Sequence, residues 1–187
     1  MNDALNQAAR IIRQGGTIAY PTDTIWGIGC DATDPMAVEK IYQIKRRSDR
    51  KSMLVLMNDS DMLHHYLYRV PEQAIKLIRD AEKPTTIIYP GSKNFAANLP
   101  AEDGSIGIRI TSDPFCYQLI QMIGKPIVST SANISGQSPP KTFREISDEI
   151  LRQVDYVVHW RQKERKPSAA SSIIRLNENG ETTMIRP

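Results

Sequence analysis

Short β-prone runs alternate with helix-like segments along most of this chain, and that alternation restricts the possible folds more than any other feature. Leu5, Ala8, Ala9 and Ile12 recur at helical spacing ahead of Gly15-Gly16, which ends a helix. Residues 17–20 then read as a strand stopped by Pro21. Asp34-Pro35 and Asp113-Pro114 each set an acidic N-cap before a first-turn proline, so a helix begins at both places. The first continues through Val38, Ile41 and Tyr42 towards Lys45. Residues 53–57 form an unbroken apolar run, the pattern of a buried strand. Two short helices follow, the second opened by Pro71, and residues 85–89 are again strand-like. Ile106, Ile108 and Ile110 alternate with Ser105, Gly107 and Arg109, which gives a strand one apolar and one polar face. Residues 127–129 form another strand, Thr142-x-x-Glu145 reads as a capping box opening a helix to about Gln153, and residues 156–158 form a strand. Asn179-Gly180, between two β-prone runs, signals a closing hairpin. The pattern predicts an α/β fold: one domain over residues 1–187, with a twisted mixed parallel/antiparallel sheet flanked by helices.

The bulk numbers suit that expectation. The chain has 187 residues, 40% of them hydrophobic and 24% charged, enough to bury a substantial core. No apolar run approaches a membrane span, and residues 1–5 lack the basic-then-apolar order of a secretory signal. The two cysteines, Cys30 and Cys116, are far apart, so the sequence predicts buried thiols and a reducing, cytoplasmic setting. Three histidines, two of them adjacent at 64 and 65, have no zinc-binding spacing, and no metal ligands are assigned. Neither the G-x-G-x-x-G fingerprint nor the G-x-x-x-x-G-K-[ST] loop occurs, so a bound nucleotide would be held in another way. The net charge of +3 is mild, but basic residues cluster at 45–51 and at 161–166. The second cluster reads as a solvated loop.

Four polar segments carry candidate chemistry. Ser129-Thr130-Ser131-Ala132-Asn133-Ile134-Ser135-Gly136 follows the apolar run 126–128. Small hydroxyl residues at a strand exit leave donors facing outward, which suits phosphate or carboxylate oxygens; the same residues also cap ordinary turns. Tyr20-Pro21-Thr22-Asp23-Thr24 places polar groups at another strand exit, and Gly27 and Gly29 permit close backbone approach. Lys45, Arg46, Arg47, Arg50 and Lys51 supply five cations within seven residues, more than a helix C-terminus needs, and apt for a triphosphate. Arg109, on a polar strand face, has the planar fork that clamps a carboxylate.

Together, Pro-Thr-Asp-Thr-x-x-Gly-x-Gly-Cys-Asp, Lys-x-Arg-x-x-x-Lys, the Arg-bearing strand and Ser-Thr-Ser-Ala-Asn-x-Ser-Gly resemble the YrdC/TsaC family in its short, single-domain form. The resemblance runs in order over nearly the whole chain. It implies synthesis of L-threonylcarbamoyl-AMP from L-threonine, bicarbonate and ATP with Mg2+, releasing pyrophosphate. The product would serve threonylcarbamoyl modification of adenosine 37 in tRNA, through downstream transfer proteins. By position, Lys45, Arg47 and Lys51 would act on the ATP phosphates as the catalytic group. Ser105, Ser131, Asn133 and Arg186 would also contact ATP or the intermediate. Thr24, Arg109, Ser129 and Ser171 would bind threonine. The family's Trp-Pro-Gly-Pro is here Ala81-Glu82-Lys83-Pro84, and its usual Tyr is Trp26; both changes touch pocket walls rather than charged groups.

A competing expectation is a non-enzymatic RNA-binding or ribosome-maturation protein using the same basic surface, with weak tRNA or double-stranded RNA binding. Aromatic residues are only 6% of the chain, which leaves few stacking platforms for RNA bases.

Overall fold

A computed structural model of the chain describes residues 1–47, 53–165 and 169–187. Helix α1 (Asn2–Arg13) buries Leu5, Ala8, Ala9 and Ile12 and ends before Gly15, whose φ is +73°. Strands β1 (Ile18–Tyr20) and β2 (Gly27–Gly29) form an antiparallel pair. Both Asp-Pro caps operate as the sequence predicts. Asp34 accepts from the Met36 and Ala37 amides to start α2 (Pro35–Ile44), and Asp113 accepts from Phe115 and Cys116 to start α5 (Pro114–Ile123). Between them lie β3 (Leu54–Met57), α3 (Leu63–Tyr66), α4 (Glu72–Arg79), β4 (Thr85–Tyr89) and β5 (Ile106–Ile110). Strand β6 (Ile127–Ser131), α6 (Asp148–Gln153), β7 (Tyr156–Val157) and the hairpin β8 (Ser172–Leu176) and β9 (Thr182–Arg186) follow.

Nine strands among the described residues form one mixed sheet in the order β7-β1-β2-β6-β3-β5-β4-β8-β9. Its parallel pairs are β1 with β7, β3 with β5 and β4 with β8; the others are antiparallel. Helices cover both faces. Leu5, Ile12, Phe115 and Leu119 of α1 and α5 pack on Ile18, Tyr20, Leu56 and Ile127, while Val38 and Ile41 of α2 belong to the core on the opposite face with Val55, Ile108 and Val128. Cys30 and Cys116 are free and fully buried. No helix among the described residues is long and apolar enough to cross a membrane.

One strand, β2, goes unassigned in the sequence, where its glycines read only as permitting close backbone approach, and one local reading, the capping box, is corrected. Strand β2 carries two of its three residues as glycine, a poor local strand signal, and it forms because β6 needs a partner that approaches closely. A Cβ on Gly29 would lie 2.0 Å from the Val128 carbonyl oxygen. The box at Thr142 does not open one long helix. Glu145 spends one carboxylate oxygen on the Thr142 hydroxyl and the other on the Lys141 amide. Only a 3-10 turn, Phe143–Glu145, results; Ile146 is extended, and Ser147 caps α6 separately.

Candidate active site

Seven of the residues assigned roles from the sequence, Thr24, Arg47, Arg109, Ser129, Ser131, Ser171 and Arg186, converge on the sheet face that carries α1 and α5. Leu54 and Ser129 are register partners, as are Leu56 and Ile127, and Arg109 lies opposite Leu56. Successive residues of a strand alternate faces, so Leu54, Ser129 and Arg109 continue the row that Leu56 and Ile127 start beneath the helices. A cavity of about 380 Å³ opens there. Its walls include Thr24, Arg47, Thr86, Arg109, Ser129 and Ser171, and Ser131 and Arg186 also reach it. The described lining residues bring three guanidiniums and no carboxylate, the charge pattern of an anion site.

Each wall has a local cause. Thr22 Oγ1 donates to the Ile25 carbonyl at 2.8 Å and accepts the Thr24 amide at 3.0 Å. With its one proton committed, it must accept from Thr24 Oγ1, 2.9 Å away, which leaves the Thr24 oxygen to act as an acceptor in the cavity. Gly27 faces Ser131 across the β2–β6 ladder. A Cβ there would press on the Thr130 carbonyl at 3.1 Å and reach ordinary contact with Ser129 Oγ at 3.4 Å, so glycine lets β2 lie close against β6 at the cavity wall. At the far wall, Thr86 and Ser171 share a hydrogen bond of 2.8 Å, and Arg186 Nε donates to the Ser171 carbonyl at 2.9 Å. The β8–β9 hairpin thereby carries Arg186 back over the β4–β8 boundary. Arg47 follows Arg46, whose φ of +49° turns the chain at the end of α2.

Arg109 is 2% exposed, one of the largest fully buried side chains. Its guanidinium lies 2.8 Å from Asp23 Oδ1, and its buried Nε has no hydrogen-bond partner. Burial raises the Asp23 carboxyl above its ordinary range, and Arg109 partly opposes that shift. The fork geometry of Arg109 in this site suits a carboxylate.

Three sequence-assigned residues are placed elsewhere. The Lys45 ammonium is buried, donating to the Ser131 carbonyl at 2.7 Å and the Asn133 carbonyl at 2.8 Å. It ties the end of α2 to the β6 exit loop and does not line the cavity. Burial, reinforced by Arg47, lowers its pKa to about 8. Asn133 is turned onto its own loop, donating to the Ile134 and Gln137 carbonyls. Ser105 sits before β5 beside Asp103 and Arg175 and lines a different cavity. Lys51 lies outside the described residues. Thr86 lines the cavity without having been singled out for it, and Thr130 lines it without having been given a role; Thr86 lies in a strand-like run that gave no sign of its register. Among the described residues no group of His, Cys, Asp and Glu is placed to hold a metal ion.

A family model described as "Telomere recombination", covering Sua5, YciO and YrdC, matches residues 10–187. A threonylcarbamoyl-AMP synthase of Vibrio vulnificus (strain YJ016) is 30% identical over 168 residues, 88% of this chain and 90% of that relative. E. coli YciO superposes with a TM-score of 0.80 at 27% identity, over 100% of this chain and 89% of its own. P. abyssi Sua5, solved with L-threonine, has a TM-score of 0.86 at 24% identity, a likeness of fold that covers 98% of this chain. The chain spans 53% of that Sua5. With a family model that matches residues 10–187 and a relative 30% identical over most of both chains, the chain belongs to the Sua5/YciO/YrdC family.

Proposed function

We propose that this protein synthesises L-threonylcarbamoyl-AMP from L-threonine, bicarbonate and ATP, with release of pyrophosphate. The observation that carries the reading is Arg109, a buried guanidinium with an uncommitted Nε, at the wall of a hydroxyl-lined cavity that Arg47 and Arg186 also line. Arg109 would take the threonine carboxylate, with Thr24, Ser129 and Ser171 around the rest of the amino acid. Arg47, Arg186 and the Ser131 hydroxyl would face ATP phosphates, and Lys51 belongs to the same assignment. Lys45 would hold the β6 exit loop in place.

The threonine nitrogen attacks the bicarbonate carbon, and water departs to leave a carbamate. A carbamate oxygen then attacks the α-phosphorus of ATP, and pyrophosphate leaves with the electron pair. Neither step needs a protein nucleophile. Alignment of the reacting groups and neutralisation of the developing phosphate charge are the tasks left to the side chains. Among the described residues, the lining offers hydroxyls and guanidiniums rather than carboxylates. Those groups do not fit a protein-held Mg2+; the ion would arrive on the ATP phosphates.

The test is pyrophosphate release by purified protein with ATP, Mg2+ and bicarbonate, with and without L-threonine. Release that requires both threonine and bicarbonate supports the synthase. Salt-sensitive RNA binding without threonine-dependent release would instead favour the binding-protein alternative. Transfer proteins that consume the adenylate, and any contact with tRNA, belong to the same proposal.

A further inference from the structure

We propose that Asp23 is the positioning residue for carboxylate recognition: it fixes the Arg109 guanidinium in one pose at the cavity wall, where the substrate carboxylate meets it. The inference rests on the threonine reading above and adds to it a residue that the site assignment leaves without a role.

Asp23 is about nine-tenths buried and its Oδ1 lies 2.8 Å from Arg109, itself almost wholly buried. Asp23 does not line the main cavity. It lines a second one of about 290 Å³ on its other side, with Glu82, Lys83, Thr85, Thr111 and Ser112. The pair therefore stands as a partition, with Arg109 facing the first cavity and Asp23 the second. Arg161, the other cation that acts on Asp23, is already committed to Asp113 Oδ2 at 2.6 Å and to Glu164 at 2.8 Å. Arg109 is thus the cation that Asp23 engages directly. Water is largely excluded from the pair, so its attraction is little screened and holds the guanidinium in one pose. Burial also gives the pair an unfinished character: neither Asp23 Oδ1 nor Arg109 Nε makes a well-directed hydrogen bond. An incoming carboxylate would meet the part of the guanidinium that lines the first cavity.

Two effects of Asp23 oppose each other. Its negative charge reduces the pull of Arg109 on an incoming anion. Its geometry keeps the guanidinium where a two-point contact can form. The proposal commits to the second as the larger, because a misaligned fork loses the bidentate bond that gives arginine its advantage at carboxylates.

The experiment compares wild type with Asp23→Ala and Asp23→Asn, each confirmed folded by thermal melting. Calorimetry measures binding of L-threonine and of L-threonine amide, which lacks the carboxylate, and steady-state assays give KM and kcat. Asp23→Ala is expected to weaken L-threonine about tenfold, raising KM while kcat at saturation falls far less. The amide should bind Asp23→Ala about as it binds wild type, because the interaction that Asp23 supports is absent from it. Asp23→Asn keeps the side-chain shape and one acceptor, so its loss should be smaller than that of Asp23→Ala. Equal losses for threonine and the amide, an unchanged threonine affinity, or tighter threonine binding would each overturn the inference while leaving the synthase reading intact. A wild-type protein that binds no L-threonine and shows no threonine-dependent pyrophosphate release would overturn that reading, and the inference with it.

Discussion

The inner wall and the outer rim of the cavity differ in what they would offer an anion. Thr24, Thr86, Arg109, Ser129 and Ser171 are all buried, and the sheet register or a hydrogen bond accounts for the place of each. Arg47 is only half-buried, and Arg186 stands on β9, an edge strand exposed along its whole length. A buried, pre-paired guanidinium gives geometric selectivity and is little affected by salt. Exposed cations give attraction that salt screens and that adapts to a polyphosphate. The inner wall therefore suits discrimination of a small zwitterion, and the rim suits a larger, more highly charged partner.

The sharpest way to break that division is Arg47→Ala. It should lower kcat on the order of a thousandfold, as loss of a cation at a transferring phosphoryl group does, while calorimetric L-threonine affinity stays near wild type. Lost threonine binding in that variant would merge the two regions into one. Arg109→Ala should weaken L-threonine about a hundredfold, with ATP binding little changed, because one partner of a buried charge pair is removed. Arg109→Lys should recover little, since an ammonium lacks the fork. Arg186→Ala should cost about fivefold or less in ATP affinity, as exposed charges do. Its deficit should shrink as salt rises, whereas the Arg109→Ala deficit should persist in an ionic-strength series.

The smallest effect concerns the tie between the regions. Burial holds the Lys45 pKa near 8 against 10.5 for a free lysine. Below pH 8 the group is protonated whether the chain is folded or not, and the cost of burying the charge is fully present. Between pH 8 and 10.5 the unfolded chain binds the extra proton, so folding stability from this group rises with pH. Denaturant unfolding should show wild type gaining on Lys45→Met across that window. Parallel curves would show that the ammonium is not desolvated as the two carbonyl contacts imply.

Much of the scaffold was legible because its signals are local. The Asp34 and Asp113 caps, the stop at Gly15 and the Asn179-Gly180 turn act within a few residues of themselves. The capping-box reading failed for a similarly local reason: Glu145 bonds to the Thr142 side chain and the Lys141 amide, the Thr142 hydroxyl makes no cap bond to the following amides, and the chain turns extended at Ile146. Strand β2 was obscured because its glycines answer to the Val128 and Thr130 carbonyls of β6, a partner about a hundred residues away in the chain.

The site divides along the same line. The sequence by itself determined the chemical inventory: the hydroxyl-rich strand exits, the cation cluster after α2, and an arginine on a polar strand face. Tertiary structure decided which of these meet. Strand order sets β6 beside β3 and β3 beside β5, so Ser129 and Arg109 share a wall. It also brings Asp23 to Arg109, Thr86 to Ser171, and the Lys45 ammonium to two backbone carbonyls. Composition and spacing report what a residue can do within its own turn or strand. Only the register between distant strands fixes which charge it faces, and in a water-poor interior that neighbour sets its role.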